Sequence, residues 1–141
     1  MAIVGFSFTK ISAEKKSAPT GKISVKNNIT VKDVEKTDLF LGSAKQPGIK
    51  IIYEFKSVYE PKMGEIVLQG EILDIEDEKI IQDVLKGWKK DKKLPDGLMN
   101  MVVNSILGRC NIQALIMSKE LNMPPPIPMP KVGQPPPTAN K

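Results

Sequence analysis

The sequence contains no histidine, one cysteine (Cys110) and one arginine (Arg109). Without imidazole there is no His base, no Ser–His or Cys–His nucleophile pair and no His-dependent metal site. A lone cysteine forms neither an intramolecular disulfide nor a Cys-based zinc site. Cys110 falls within an apolar stripe, where a buried, inert thiol is expected. No Gly-rich phosphate loop is present, so neither cofactor nor metal is expected, and catalysis is the least favoured reading. No apolar run reaches the roughly 18 residues of a membrane span. The start, Met1-Ala2-Ile3-Val4-Gly5-Phe6, has neither a charged n-region nor a long apolar run. No signal peptide or membrane insertion is therefore expected, and a cytoplasmic protein is. Arginine is scarce against 20 lysines, so the net charge of +5 is a lysine charge. Lysine supports solubility and loose polyanion attraction better than bidentate readout, so specific nucleic-acid recognition is not expected.

What is present fits one domain with a core, residues 1–132, and a disordered Pro-rich tail, residues 133–141. Val4, Phe6 and Phe8 alternate with polar or small residues as in a half-buried strand, and the phase slips near Lys10, where a bulge is expected. Ile23, Val25, Asn27, Ile29 and Val31 share one face of a second strand. The alternation runs through Asn27-Asn28, which favours one strand over a hairpin there. Residues 33–48 read as a connection, with Leu39, Phe40 and Leu41 as an apolar anchor. Ile49, Ile51, Tyr53, Phe55, Ser57 and Tyr59 give the clearest period of two. After a tight turn at Pro61-Lys62-Met63-Gly64, Ile66, Leu68 and Ile72 share a face. Gly70 leaves one position there bare, which admits a bend or a close neighbour. Short links imply antiparallel neighbours.

Asp77 is placed to cap a helix beginning near Glu78, with Ile80, Ile81, Val84, Leu85 and Trp88 on one face. A longer helix is expected from Leu94 to Leu121. Pro95 suits its first position, and Asn122 a left-handed cap before Pro124. Leu98, Val102, Ile106, Cys110, Ala114, Met117 and Leu121 make one stripe. Met99, Val103, Leu107 and Leu115 make a second, widened by Met101 and Ile112. A surface helix needs only one stripe. The second can be covered by other elements, another subunit or an apolar partner. The whole is an α+β domain: a four-stranded, mainly antiparallel sheet followed by a short and a long helix packed on it.

Several candidate sites have simpler readings. The run from Lys86 to Lys93 around Trp88 can meet RNA or an anionic membrane, but charge runs between helices are usually solvated. Asp74, Glu76 and Glu78 flank a helix start, where dipole and capping account for them. Pro124–Pro130 and Pro135–Pro137 can serve as SH3 or WW ligands. Met123, Ile127 and Met129 among the first set favour an internal brace against the core.

Four long strands, a short helix, a Pro-led long helix starting Leu94-Pro95-Asp96-Gly97-Leu98, and the ending Asn122-Met123-Pro124-Pro125-Pro126-Ile127-Pro128-Met129-Pro130 together resemble the SecB family of protein-export chaperones. The likeness covers most of residues 3–132 in architecture. It implies an ATP-independent holdase, a dimer of dimers, that takes unfolded polypeptide into an apolar groove between sheet and helix. The chain departs from the family's acidic members in its positive charge, and Met123 stands where the family has an aromatic residue. A diverged, SecB-like protein serving export or a toxin–antitoxin system is therefore expected, with Ile51, Tyr53, Phe55, Met99, Val103 and Leu107 lining the groove. The competing readings are a homo-oligomer (dimer or tetramer) without chaperone activity, whose second stripe meets only its own copies, and a lysine-driven polyanion binder.

Overall fold

The computed structural model describes residues 2–17 and 21–127. The expected tail 133–141 and the outer part of the proline segment, residues 128–130, lie outside the described residues. Four strands are followed by two helices: β1 (Ala2–Lys15), β2 (Ser24–Leu41), β3 (Ala44–Glu60), β4 (Gly64–Ile75), α1 (Glu78–Asp91) and α2 (Asp96–Glu120). The sheet order is β1-β4-β3-β2, and every pairing is antiparallel. β1 and β2, consecutive in the chain, are thus the two edges of the sheet.

β3 and β4 form the centre, and their alternation is a core pattern. Ile49, Ile51, Tyr53, Phe55 and Tyr59 of β3, with Ile66, Leu68 and Ile72 of β4, are fully buried beneath the helices. The bare position at Gly70 admits a close neighbour, as expected. A Cβ there would lie 2.5 Å from the Tyr53 hydroxyl and 2.9 Å from its ring carbon Cζ. The Glu60–Pro61 peptide is cis, and Met63, in the turn that follows, is buried.

The outer strands carry the corrections. The bulge expected near Lys10 lies between Phe8 and Lys10, but a further register shift falls between Ile3 and Gly5. That shift turns Val4 outward, 45% exposed, while Ile3 packs against the core. Residues 33–48 are no loop. β2 continues to Leu41, turns at Gly42 (φ 69°) and returns as β3, with Leu41 opposite Ala44. A bulge at Lys32, between Val31 and Asp33, explains why the alternation looked finished. One extra residue moves the core face from odd to even positions, so Val34 follows Val31 inward. The apolar anchor is half realised. Leu39 packs against the bare face of Gly48, 2.9 Å from where a Cβ would stand, whereas Phe40 is 73% exposed.

Both helices lie on one face of the sheet, α1 over β2 and β3, α2 over β3 and β4. α1 buries Ile81, Val84 and Trp88, while Ile80 is largely exposed and Leu85 half-buried. Asp77 precedes it without a side-chain capping bond. α2 begins one residue later than expected. Pro95 (φ −54°, ψ 145°) stands just outside it, its carbonyl accepting the Met99 N–H at 2.8 Å. Asn122 takes the left-handed conformation (φ 54°), and the Met123 N–H reaches back to the Ser118 carbonyl at 2.8 Å. This is the Schellman closure that the asparagine foreshadows.

The buried residues of α2 are Leu98, Val102, Ile106, Cys110, Ala114 and Ser118, a strict spacing of four. An α-helix repeats every 3.6 residues, so this line drifts about 40° per step and winds roughly 200° around the axis. The N- and C-terminal halves of α2 therefore bury different sides. Apolar residues consequently surround the helix, and the first stripe passes to Ala114 and Ser118, leaving Met117 and Leu121 half-buried.

Candidate apolar groove beside the long helix

In the frame of that winding line, Met99, Val103, Leu107 and Leu115 form the adjacent row of α2. Ile29 and Val31 lie on the helix-side face of β2, opposite Phe55 and Tyr53. Between them is a depression of about 500 Å³ lined by Ile29, Thr30, Val31, Trp88, Leu94 and Met99, with Lys92, Lys93 and Asp96 at its mouth. The floor is strand, one wall is the long helix, and the end is the link between α1 and α2. Ile29, Val31 and Met99 are half-buried, so each offers apolar surface without leaving the fold.

A proline strap lies beyond the other end. Tyr59 donates its hydroxyl to the Pro124 carbonyl at 2.6 Å. Asn27, two residues along β2 from Ile29, donates its amide to the Pro126 carbonyl at 2.9 Å and accepts from the Ser57 hydroxyl at 2.6 Å. Met123 is buried beside Gly64. Residues 123–127 thus brace the core, as their Met and Ile content led one to expect. The polar interruption at Asn27 is the socket that receives them.

Of the six residues expected to line a groove, Met99 alone lines this depression. Ile51, Tyr53 and Phe55 have no exposed surface. They lie on the central strand, and both helices are spread above it, so the alternation that singled them out marks core. Met99 and Val103 are half-buried and Leu107 is 37% exposed, on one row of α2 as expected. The residues overlooked were Ile29, Val31 and Leu94. Ile29 and Val31 were placed on the correct strand face, but only the tertiary fold shows that β2 is an edge that the helices leave partly open.

Trp88 packs inward, 6% exposed, with the Lys92 ammonium 5.3 Å from the ring centroid. It caps the groove's end from below and offers no free ring for stacking. Cys110 is buried against Tyr53, and burial pushes its thiol up to about 12, the reverse of an activated nucleophile. Burial likewise raises the Tyr59 phenol to about 12 and drives Tyr53 higher still. On the opposite sheet face, Glu54 is held below the usual carboxylate range by the Gln69 amide at 2.6 Å and by Lys32. Among the described residues no three His, Cys, Asp or Glu side chains group as a metal site. No described helix is long and apolar enough to cross a membrane.

The fold is similar to that of a SecB-like chaperone. This is a Mycobacterium tuberculosis protein solved in complex with a ChAD peptide from the HigA1 antitoxin. The match has a TM-score of 0.56 and 8% sequence identity, and covers 92% of this chain and 89% of the other. No family model matches the sequence, and no curated protein matches it. The likeness is therefore one of fold. It bears out the α+β architecture of four antiparallel strands followed by two helices on a SecB-like plan.

Proposed function

We propose that this protein is an ATP-independent holdase of SecB-like type, binding extended apolar segments of unfolded polypeptide in the groove between β2 and α2. The observation that carries the reading is the depression that sets half-buried Met99 beside the half-buried Ile29 and Val31, with Val103 half-buried and Leu107 37% exposed further along the same row of α2. A stable monomeric core would cover such a strip; an apolar client covers it transiently. Each anchor side chain buried by a client contributes roughly 1.5–3 kcal/mol before entropy losses. The antitoxin peptide on the similarly folded chaperone supports a polypeptide partner; a toxin–antitoxin or an export system is the setting we propose for it. The groove needs no nucleotide and no catalytic group. Ile112 and Ile116, 61% and 46% exposed on the outward row of α2, suit contact with a second copy, so the holdase works as a dimer or tetramer.

The test is light scattering by a chemically denatured model enzyme diluted into buffer without nucleotide. Stoichiometric protein suppresses the scattering, and Met99→Glu with Val31→Glu, both at half-buried positions, weakens the suppression severalfold. Aggregation at an unchanged rate with wild-type protein present would overturn the proposal.

A further inference from the structure

Resting on the groove reading above, we infer that the occupant is an apolar segment flanked by carboxylates, an acidic peptide rather than a neutral or basic one. The placement of lysine charge carries this. Four of the eight lysines on the strands are paired within the fold, Lys26 with Glu60 at 3.7 Å, Lys32 with Glu54 at 3.6 Å, Lys45 with Asp38 at 3.4 Å, and Lys36 with Glu78, while Lys10, Lys15, Lys50 and Lys56 stand apart from one another. At the groove mouth the lysines are clustered as well as unpaired. Lys92 and Lys93 line it, and a second depression of about 400 Å³, lined by Lys86, Lys89 and Lys92, meets the first at Trp88 and Lys92. None of these four lysines has an ion pair among the described residues.

The carboxylates lining the two depressions are Asp33 and Asp96. Asp33 is turned to its own chain, accepting the Val34 N–H at 2.8 Å. The α1 dipole accounts for Lys89, in the last helical turn, but Lys92 and Lys93 lie beyond the helix. Lys92 is also held in place, its ammonium over the Trp88 ring. Clustered, unpaired cations beside an apolar floor, one of them held over Trp88, attract a carboxylate that arrives with apolar side chains and repel a lysine- or arginine-flanked segment.

From Val31 to Asn27 the strand advances about 13 Å, so an extended occupant lays roughly four residues along it before the strap. A carboxylate within about two residues of that stretch, on the α1 side, reaches the lysines. RNA is the poorer fit. Trp88 is buried, and Arg109 lies at the far side of α2, over Phe6, with its guanidinium carbon 5.2 Å from the ring centroid.

The experiment measures fluorescence anisotropy of labelled peptides sharing one four-residue apolar centre, flanked by aspartates, asparagines or lysines. A peptide of aspartates without the centre and an RNA oligomer are added as controls. The aspartate-flanked peptide is expected to bind about fivefold tighter than the asparagine one, the size of two exposed ion pairs, and to lose that advantage in high salt. Lys89→Glu with Lys93→Glu reverses the preference toward the lysine-flanked peptide. Lys10→Glu with Lys15→Glu, an equal charge change on β1, leaves it in place. Equal binding of aspartate- and asparagine-flanked peptides overturns this inference and leaves the groove reading standing. No binding of any peptide with the apolar centre overturns both. Equally tight binding of the aspartate-only peptide or the RNA overturns it in favour of a general polyanion surface.

Discussion

Removing the Tyr59 hydroxyl tests whether the proline strap is held by its pins or merely rests on the core. The hydroxyl is fully buried and donates to the Pro124 carbonyl at 2.6 Å. Tyr59→Phe keeps the ring and deletes the donor. A typical hydrogen bond contributes about 0.5–1.5 kcal/mol net, and a buried acceptor left unpaired costs about 1–3 kcal/mol. Pro124 is half-buried, so its carbonyl regains water in part, and a loss of about 1–2 kcal/mol is expected. For a domain of this length, 1 kcal/mol lowers Tm by about 3–5 °C. Urea unfolding gives the global cost. Hydrogen exchange at the Met123 N–H, bonded to the Ser118 carbonyl at 2.8 Å, gives the local one and should quicken about tenfold. Asn27→Ala removes the second pin, the bond to Pro126. Both pins hold one strap, so the double variant should cost less than the sum of the singles. Stability within about 0.3 kcal/mol of wild type in both single variants, with exchange at Met123 unchanged, would refute the pinning argument.

Two further outcomes follow from the core. Burial raises Cys110 from 9.0 to about 12 and Tyr59 from 10.0 to about 12, with Tyr53 also raised. The folded chain thus keeps protons that the unfolded chain releases, so this stability is complete below pH 9 and falls as pH rises from 9 to 12. The loss should reach the order of 5 kcal/mol by pH 11, and Cys110→Ala should move its onset toward pH 10; a urea midpoint that stays flat from pH 9 to 11 would contradict it. Gly70→Ala puts a methyl 2.5 Å from the Tyr53 hydroxyl, 2.9 Å from Cζ and against the Ser7 carbonyl oxygen. It should destabilise by about 3 kcal/mol. Tyr53→Phe should restore only part of this, since the ring carbon and the backbone oxygen remain; wild-type stability of the single variant would show that the sheet yields there.

The central strands were legible because β4 is buried on one face throughout and β3 from Ile49 on, so period two survives from Ile49 to Tyr59. β2 was legible only to Val31, because the bulge at Lys32 inverts the phase and a local pattern cannot tell an inverted phase from a loop. The same blindness hid the shift near Val4. Helix ends were legible through backbone chemistry: Asn122 before a proline is readable as a left-handed cap, whereas Pro95 fits just outside a helix as well as at its first position. The lysines between the helices are solvated, as a charge run there implies, with Trp88 on the apolar face; what no local pattern shows is that they gather beside an apolar floor.

The groove itself depends on two long-range facts that no window of sequence contains. One is the drift of the buried line around α2. A spacing of four makes the helix present a different side to the sheet at each end, so Met99, on the apolar row one residue ahead, borders the sheet, while Leu107 two turns on is 37% exposed. The other is the sheet order. With β2 at an edge and β3 at the centre, the same apolar alternation means an open floor at Ile29 and Val31 and a closed core at Ile51, Tyr53 and Phe55. Asn27 joins these two facts. Placed on the edge strand's inner face, it is too exposed to serve the core and too well bonded to be idle. Its amide fixes the strap at the place where the floor ends. If the groove takes clients as proposed, one that extends past Ile29 must either stop there or displace the strap, and the strength of the two pins would then set the longest segment held.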